Sequence, residues 1–157
     1  MPGTLRKLVW RLVALLALLA AGVVAAAAEG MEGVPFAFGA SVPEVQQALD
    51  IRSPPQRLPR PSTALPEGDA VLRSPIHGVS AFFRKSGRMY LIRLDPPFEG
   101  SVAGVKFGES RAEVVQKLGN PPRKVRGPND SSDAYLYPVA SDLTVRFDFD
   151  GSDNVER

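Results

Sequence analysis

The sequence predicts an α+β protein made of two tandem helix-plus-antiparallel-sheet repeats that follow an N-terminal signal peptide. A block at residues 38–49 returns at residues 107–118, with seven of twelve positions identical at an offset of 69. Residues 69–93 also match residues 133–157 at an offset of 64, and apolar residues alternate along both segments. A supersecondary unit that occurs twice determines the architecture before any single motif does.

The first 28 residues have the composition of an export signal. The segment starts with a basic region, continues with an apolar stretch at residues 12–24, and ends with Ala26-x-Ala28 before Glu29. An uncleaved anchor is the alternative, but the apolar residues 12–28 are at the short end for spanning a bilayer. We therefore expect cleavage after Ala28 and a periplasmic or secreted protein without a stable membrane anchor.

Cleavage changes the charge of the chain. The signal segment holds three of the 19 basic residues and none of the 17 acidic ones, so the mature chain has 16 basic residues against 17 acidic ones. This balance gives no electrostatic basis for binding nucleic acid. The chain has no cysteine, which excludes disulfides, thiolate zinc sites and a lipoprotein anchor.

Each repeated block is expected to begin a helix. The pattern Ser-x-x-Glu at residues 41–44 and again at residues 110–113 is a capping box, in which the serine and glutamate satisfy each other's backbone N–H groups. It predicts helices at residues 42–49 and 111–118. Gly119 is expected to end the second helix in a left-handed conformation.

The repeat predicts two units, at residues 29–100 and 101–157, each with a helix, a loop and about three antiparallel strands. A Pro-rich loop at residues 52–66 interrupts the first unit, because proline fixes φ and removes backbone donors. The loop is interpreted either as a solvated connection or as a recognition arm. The basic run at residues 123–126 is expected to be a solvated loop, with anionic lipid or an acidic partner as the alternative.

The strands of the first unit have apolar residues on both faces. Ser86-Gly87 is a hairpin-turn signal, and Asp150-Gly151 stands at the matching position of the second unit. The hairpin register is open, since a one-residue slip exchanges the faces. In either register one apolar face is left without a helix, so either the sister repeat or a partner covers it. We predict that the following residues bind a partner protein: Phe82, Tyr90, Leu91, Ile92 and Arg93.

The second block resembles a known family. Residues 107–121 read Phe-Gly-x-Ser-x-x-Glu-Val-x-x-x-Leu-Gly-x-Pro, and a Tyr-x-Tyr pair at 135–137 precedes a strand at 143–149. This order is similar to the SmpA/OmlA (BamE-like) family of outer-membrane assembly lipoproteins. A tandem pair of such units also resembles the β-lactamase inhibitory protein fold, whose concave sheet binds a protein. The resemblance implies an exported, protein-binding role and supplies no catalytic residues, and without cysteine neither the lipid anchor nor the inhibitor's disulfides carry over.

Two other kinds of site have candidate residues. His77 is the only histidine, so a Ser-His-acid site would need it, with Asp69 or Asp142 as the orienting acid. A turn or surface role explains His77 equally simply, and no Gly-x-Ser-x-Gly motif occurs.

Three carboxylates near a hairpin tip form a weak candidate for a calcium site. Oxygen ligands at this spacing suit calcium, although an acidic turn that keeps a sheet edge soluble gives the same pattern. These residues are Asp148, Asp150 and Asp153.

The sequence therefore predicts a non-catalytic protein-binding role in the cell envelope, as an assembly accessory or an inhibitor-like protein. The expected partner is another envelope protein, and no cofactor is expected. A small periplasmic hydrolase and a calcium- or ligand-binding domain are the alternative functions.

Overall fold

The structure is a computed structural model that describes residues 30–58, 70–126 and 133–157. Three sequence predictions fall outside the described residues. These are the signal peptide, most of the Pro-rich loop, and Asp69 as an orienting acid.

The described residues form an α+β fold, as predicted. Helix α1 spans Val42–Ala48, helix α2 spans Arg111–Leu118, and a turn of 3₁₀ helix spans Pro75–His77. The strands are β1 (Met31–Glu32), β2 (Gln56–Arg57), β3 (Ala70–Ser74), β4 (Val79–Phe83), β5 (Met89–Leu94), β6 (Ser101–Val102), β7 (Arg123–Arg126), β8 (Asp133–Pro138) and β9 (Thr144–Phe147).

These strands pair in three antiparallel sheets. β1 pairs with β6, while β2, β3, β4 and β5 form a meander in chain order. β7, β8 and β9 form a second, three-stranded meander. β5 and β9 are therefore the last strands of their sheets, each with an edge directed away from its meander.

Both helices begin with the predicted capping boxes. The Glu44 carboxylate accepts a hydrogen bond from the Ser41 N–H at 2.7 Å, and Glu113 accepts one from the Ser110 N–H at 2.7 Å. Hydrogen bonds from the serine hydroxyl and N–H groups hold the pKa of both glutamates below the ordinary value. The boxes therefore fix where each helix starts.

Gly119 differs in part from its prediction. It ends α2 with a φ of 80°, which favours glycine, but its ψ of −174° is extended rather than left-handed helical. The chain therefore leaves α2 toward β7 without a left-handed turn.

Two hydrophobic clusters hold the fold together. In the first, Val45 of α1 and Leu49, which follows the helix, pack against one face of β3, β4 and β5, with Phe83 only 1% exposed. In the second, α2 packs Val114 against β8 and the segment that follows β9. Val102 and Phe107 pack against both clusters, so the two cores are in contact.

Two hairpin turns share one hydrogen-bond pattern. The Gly87 N–H donates to the Arg84 carbonyl at 2.8 Å, and the Asp153 N–H donates to the Asp150 carbonyl at 3.0 Å. Gly87 has a φ of 76° and Asp153 a φ of 62°. The turns thus correspond at an offset of 66, which matches Gly87 with Asp153. The match of Gly87 with Gly151 expected from the sequence is therefore wrong. Aspartate adopts the left-handed conformation more readily than most residues, so it can take the place of glycine in the second turn.

Two segments expected to be loops contain strands. Gln56 and Arg57, within the Pro-rich stretch, pair with Val71 and Ala70 of β3. The basic run Arg123–Arg126 is β7, which pairs with β8. Both are edge strands, where charged side chains and proline are commonly placed because they limit unwanted pairing.

Candidate functional site

A groove of about 640 Å³ runs between the first meander and the second. β5 contributes one wall, and β9 with the residues around it contributes the other. Val102, Val105 and Phe107 line the groove between the two walls. The groove therefore lies where the two halves of the chain meet.

All five residues predicted to bind a partner line this groove: Phe82, Tyr90, Leu91, Ile92 and Arg93. Their exposure differs. Phe82 is only 5% exposed, whereas Tyr90, Leu91 and Ile92 are half-buried and the Arg93 side chain is 46% exposed. A partner in the groove would therefore touch β5 more than it touches Phe82.

An irregularity in β5 sets which side chains reach the groove. Leu91 pairs with Phe82, but the next pair joins Phe83 to Met89, so Tyr90 is an extra residue. Such a bulge bends the strand and turns its side chains. The turn itself has three residues, because the Arg84 N–H donates to the Arg88 carbonyl at 3.0 Å, and the bulge then shifts the pairing from Leu91 onward by one residue.

The sequence did not predict the opposite wall. Leu143 and Val145 are half-buried there, and Val105 and Phe107 continue the apolar surface. One signal was available, because Phe38 and Phe107 are the first residues of the two repeated blocks and both line the groove.

Ion pairs organise the charged end of the groove. The Asp95 carboxylate accepts hydrogen bonds from Arg93 Nε at 2.8 Å and from Arg157 Nε at 3.1 Å. Asp95 therefore joins β5 to the last residue of the sequence, across the two halves. On the other wall, Arg146 Nη2 lies 2.7 Å from the buried Asp148 carboxylate.

Basic side chains outnumber acidic ones in the groove lining. The basic ones are Arg93, Lys106, Arg126, Arg146 and Arg157, and the acidic ones are Asp142 and Asp148. The groove lining thus combines apolar side chains with more basic than acidic ones, although Arg93, Arg146 and Arg157 are paired with carboxylates.

The three carboxylates suggested for calcium do not form a common site. Asp148 pairs with Arg146, and Asp150 accepts the N–H groups of Ser152 and Asn154 at 2.8 and 2.9 Å.

Asp153 pairs with Arg111, whose guanidinium also lies over the rings of Tyr135 and Phe149. Across the described residues, no group of three His, Cys, Asp or Glu side chains is placed to hold a metal ion. The turn is organised by its own backbone and by Arg111.

His77 lies apart from the groove, in the exposed 3₁₀ turn. Its Nδ1 is 2.7 Å from the hydroxyl of buried Ser74, three residues earlier. Asp142, one suggested orienting acid, lines the groove instead. Within the described residues no carboxylate forms a hydrogen bond with His77, although it borders a second cavity of about 520 Å³ with Glu32 and Glu99.

Among the described residues, no helix has the length and apolar character needed to cross a membrane. Comparison of the chain with protein-family models, curated proteins and solved structures finds no match in any of the three. The resemblance to SmpA/OmlA proteins and to the β-lactamase inhibitory protein fold therefore stays a prediction from the residues alone.

Proposed function

We propose that this is an exported cell-envelope protein that binds another protein through the groove and catalyses no reaction. The observation that carries the proposal is the groove itself, which is lined by all five residues chosen from sequence for partner binding. Aromatic and arginine side chains in such surroundings supply most of the binding energy at protein interfaces. The role would be that of an assembly accessory or an inhibitor.

The proposal includes export through a signal peptide cleaved after Ala28 and an architecture of two repeated units. The repeated sequence blocks support the second point, and so do the matching turn hydrogen bonds at Gly87 and Asp153. The resemblance to SmpA/OmlA proteins agrees with an envelope location.

A small hydrolase that uses His77 is the alternative function. The contact of His77 Nδ1 with the Ser74 hydroxyl at 2.7 Å favours it. Two features weigh against it. Ser74 is buried with only 4% of its surface exposed, which hinders attack on a substrate, and the contact joins residues of the same turn. If Ser74→Ala and His77→Ala both abolished a hydrolytic activity of the purified protein, this alternative would replace the binding role.

A crosslinking pulldown from the envelope fraction tests the binding role. The protein carries its affinity tag directly after Ala28, so that the tag remains on the protein when the signal peptide is removed. We expect the full chain to retain one dominant protein and Leu91→Arg to lose it.

Ile76→Arg is the matched control for this experiment, because Ile76 is 79% exposed and lies outside the groove lining. Leu91 is a better probe than Phe82, whose burial would make any truncation destabilise the fold. Equal retention of the same proteins by the wild type and Leu91→Arg would overturn a binding role for the groove.

A further inference from the structure

The second cavity, of about 520 Å³, lies beside the exposed 3₁₀ turn and shares Phe98, Gly100 and Lys106 with the groove lining. Three segments that are distant in sequence line it together with Lys106: the end of β1, the 3₁₀ turn, and the connection from β5 to β6. Small-molecule sites have volumes of roughly 300–1,000 Å³. The cavity is therefore large enough for a small ligand, and the chemistry of its lining decides which kind.

Two glycines give the cavity a lining without side chains. A Cβ added at Gly100 would collide with the Glu32 carbonyl oxygen and with the Phe98 ring. One added at Gly33 would come within 3.0 Å of the Gly100 Cα. Because the backbones meet this closely, only glycine fits at both positions. Backbone packing therefore forms this part of the cavity in advance of any ligand.

Charged groups of both signs border the cavity. The Glu32 carboxylate accepts a hydrogen bond from the Ser101 hydroxyl at 3.0 Å, which orients it across the pair of β1 with β6. The Glu99 carboxylate and the Lys106 ammonium are exposed, and among the described residues neither forms an ion pair or a hydrogen bond with another group. Opposite charges therefore line one cavity without pairing with each other.

The same cavity has an apolar side. Ile76 is 79% exposed, the only large apolar side chain that is exposed among the described residues, and it lines the cavity with Pro97 and Phe98. The His77 ring borders this side, where its Nδ1 contact with the Ser74 hydroxyl at 2.7 Å holds it. An apolar group of a ligand that covers Ile76 removes its side chain from water, which is favourable.

We propose that this cavity binds a small zwitterion, an α-amino acid with an apolar side chain. Lys106 pairs with the ligand's carboxylate, Glu99 and Glu32 pair with its ammonium group, and Ile76 contacts its side chain. A ligand with one charge would be attracted by some of these groups and repelled by the others. The inference goes beyond the proposed function, because none of the residues in the two walls of the groove takes part.

Titration with L-leucine, followed by nuclear magnetic resonance of the isotope-labelled protein purified after export, tests the proposal. We expect saturable shifts of the Gly33 and Gly100 amide signals. Two analogues of leucine separate its charges, since 4-methylpentanoate lacks the ammonium group and 3-methylbutylamine lacks the carboxylate. Each analogue should bind about threefold more weakly than leucine, because one exposed ion pair is lost.

Two variants assign each charge of the ligand to its partner. Lys106→Gln should weaken binding of leucine and 4-methylpentanoate about threefold and should not weaken binding of 3-methylbutylamine. Glu99→Gln should weaken binding of leucine and 3-methylbutylamine about threefold and should not weaken binding of 4-methylpentanoate. Lys85→Gln is the matched control, because Lys85 is exposed in a hairpin turn and lines neither cavity.

Three results would each overturn the proposal. These are the absence of saturable shifts at Gly33 and Gly100 with leucine, equal affinity for leucine and both analogues, and equal weakening of all three ligands by either variant. The last result also identifies a variant that has lost its structure rather than one contact. Leu91→Arg should bind leucine as the wild type does, so failure of this inference and failure of the proposed function are separate outcomes.

Discussion

Gly78 lies between the 3₁₀ turn and β4, at a point where two segments meet closely. Its φ is 63°, and an added Cβ would collide with the Asp95 carbonyl oxygen and come within 2.6 Å of the Phe98 nitrogen. Gly87 has a similar φ of 76° but nothing within 4 Å of the position of an added Cβ. Replacing Gly87 by alanine therefore adds only the strain of a left-handed backbone, whereas replacing Gly78 adds the same strain and a steric clash.

We predict that Gly87→Ala lowers the free energy of unfolding by about 1–2 kcal/mol, the usual cost of a left-handed conformation. Gly78→Ala should cost clearly more, because the backbone around Asp95 must also move. Urea denaturation of both variants measures the difference in the free energy of unfolding. Equal decreases in the two variants would contradict the close packing of Gly78 against Asp95 and Phe98.

The capping glutamates predict how stability depends on pH. Hydrogen bonds from Ser110 lower the pKa of Glu113 in the folded protein below its ordinary value of 4.5. The stabilisation that the ionised Glu113 carboxylate contributes is therefore complete above pH 4.5, and it is lost as the pH falls through the lower pKa of the folded state. Glu113→Gln should have a lower urea midpoint than the wild type near neutral pH, and the gap should narrow in acid.

Glu99→Gln is the control for this measurement, since Glu99 is exposed and belongs to neither capping box. A gap for Glu113→Gln that stays constant from neutral pH to well below 4.5 would contradict the role of the carboxylate.

At the scale of elements, patterns within the sequence predicted the helices well. The capping boxes mark the starts of α1 and α2, because a cap is a local interaction between residues three apart. Local patterns predicted the strands less well. β2 and β7 lie in segments whose prolines and charges favour loops, and they are strands because neighbouring strands supply their hydrogen bonds.

The sequence aligned the two hairpins at an offset of 64, whereas their turns correspond at 66, and this error has a similar cause. A bulge at Tyr90 and an aspartate in the left-handed position at 153 are backbone features that residue identity does not reveal. The sequence therefore predicted that the hairpin containing residues 82–83 and 90–92 carries two apolar faces, but not which side chains share a face.

The corrected correspondence makes Phe83 of β4 the counterpart of Phe149, each in its own core. Both are buried, at 1% and 3% exposure. Phe83→Ala and Phe149→Ala should each lower the free energy of unfolding by about 3–5 kcal/mol. Ile76→Ala, at a 79% exposed position, should change it by less than about 0.5 kcal/mol. Chemical denaturation checks all three, and a small loss at either phenylalanine would contradict its place in a core.

At the scale of the whole molecule, the groove depends on contacts between the halves. The rings of Phe98 and Phe107 meet edge to face with centroids 6.2 Å apart, and Asp95 accepts bonds from Arg93 and Arg157. The sequence predicted the β5 wall from its two-faced apolar pattern. It did not predict the opposite wall, because only the fold brings Val105 and Phe107 beside Leu143 and Val145.

Photocrosslinking in living cells tests the central claim, that the groove binds a protein, most directly. A photoreactive phenylalanine analogue would replace Arg93 or Thr144, which are exposed on opposite walls, or Ile76, which borders the cavity near His77. The account predicts one dominant adduct, of the same mass, from the two groove positions and not from Ile76. No adduct from either groove position, or the same adduct from all three positions, would contradict it.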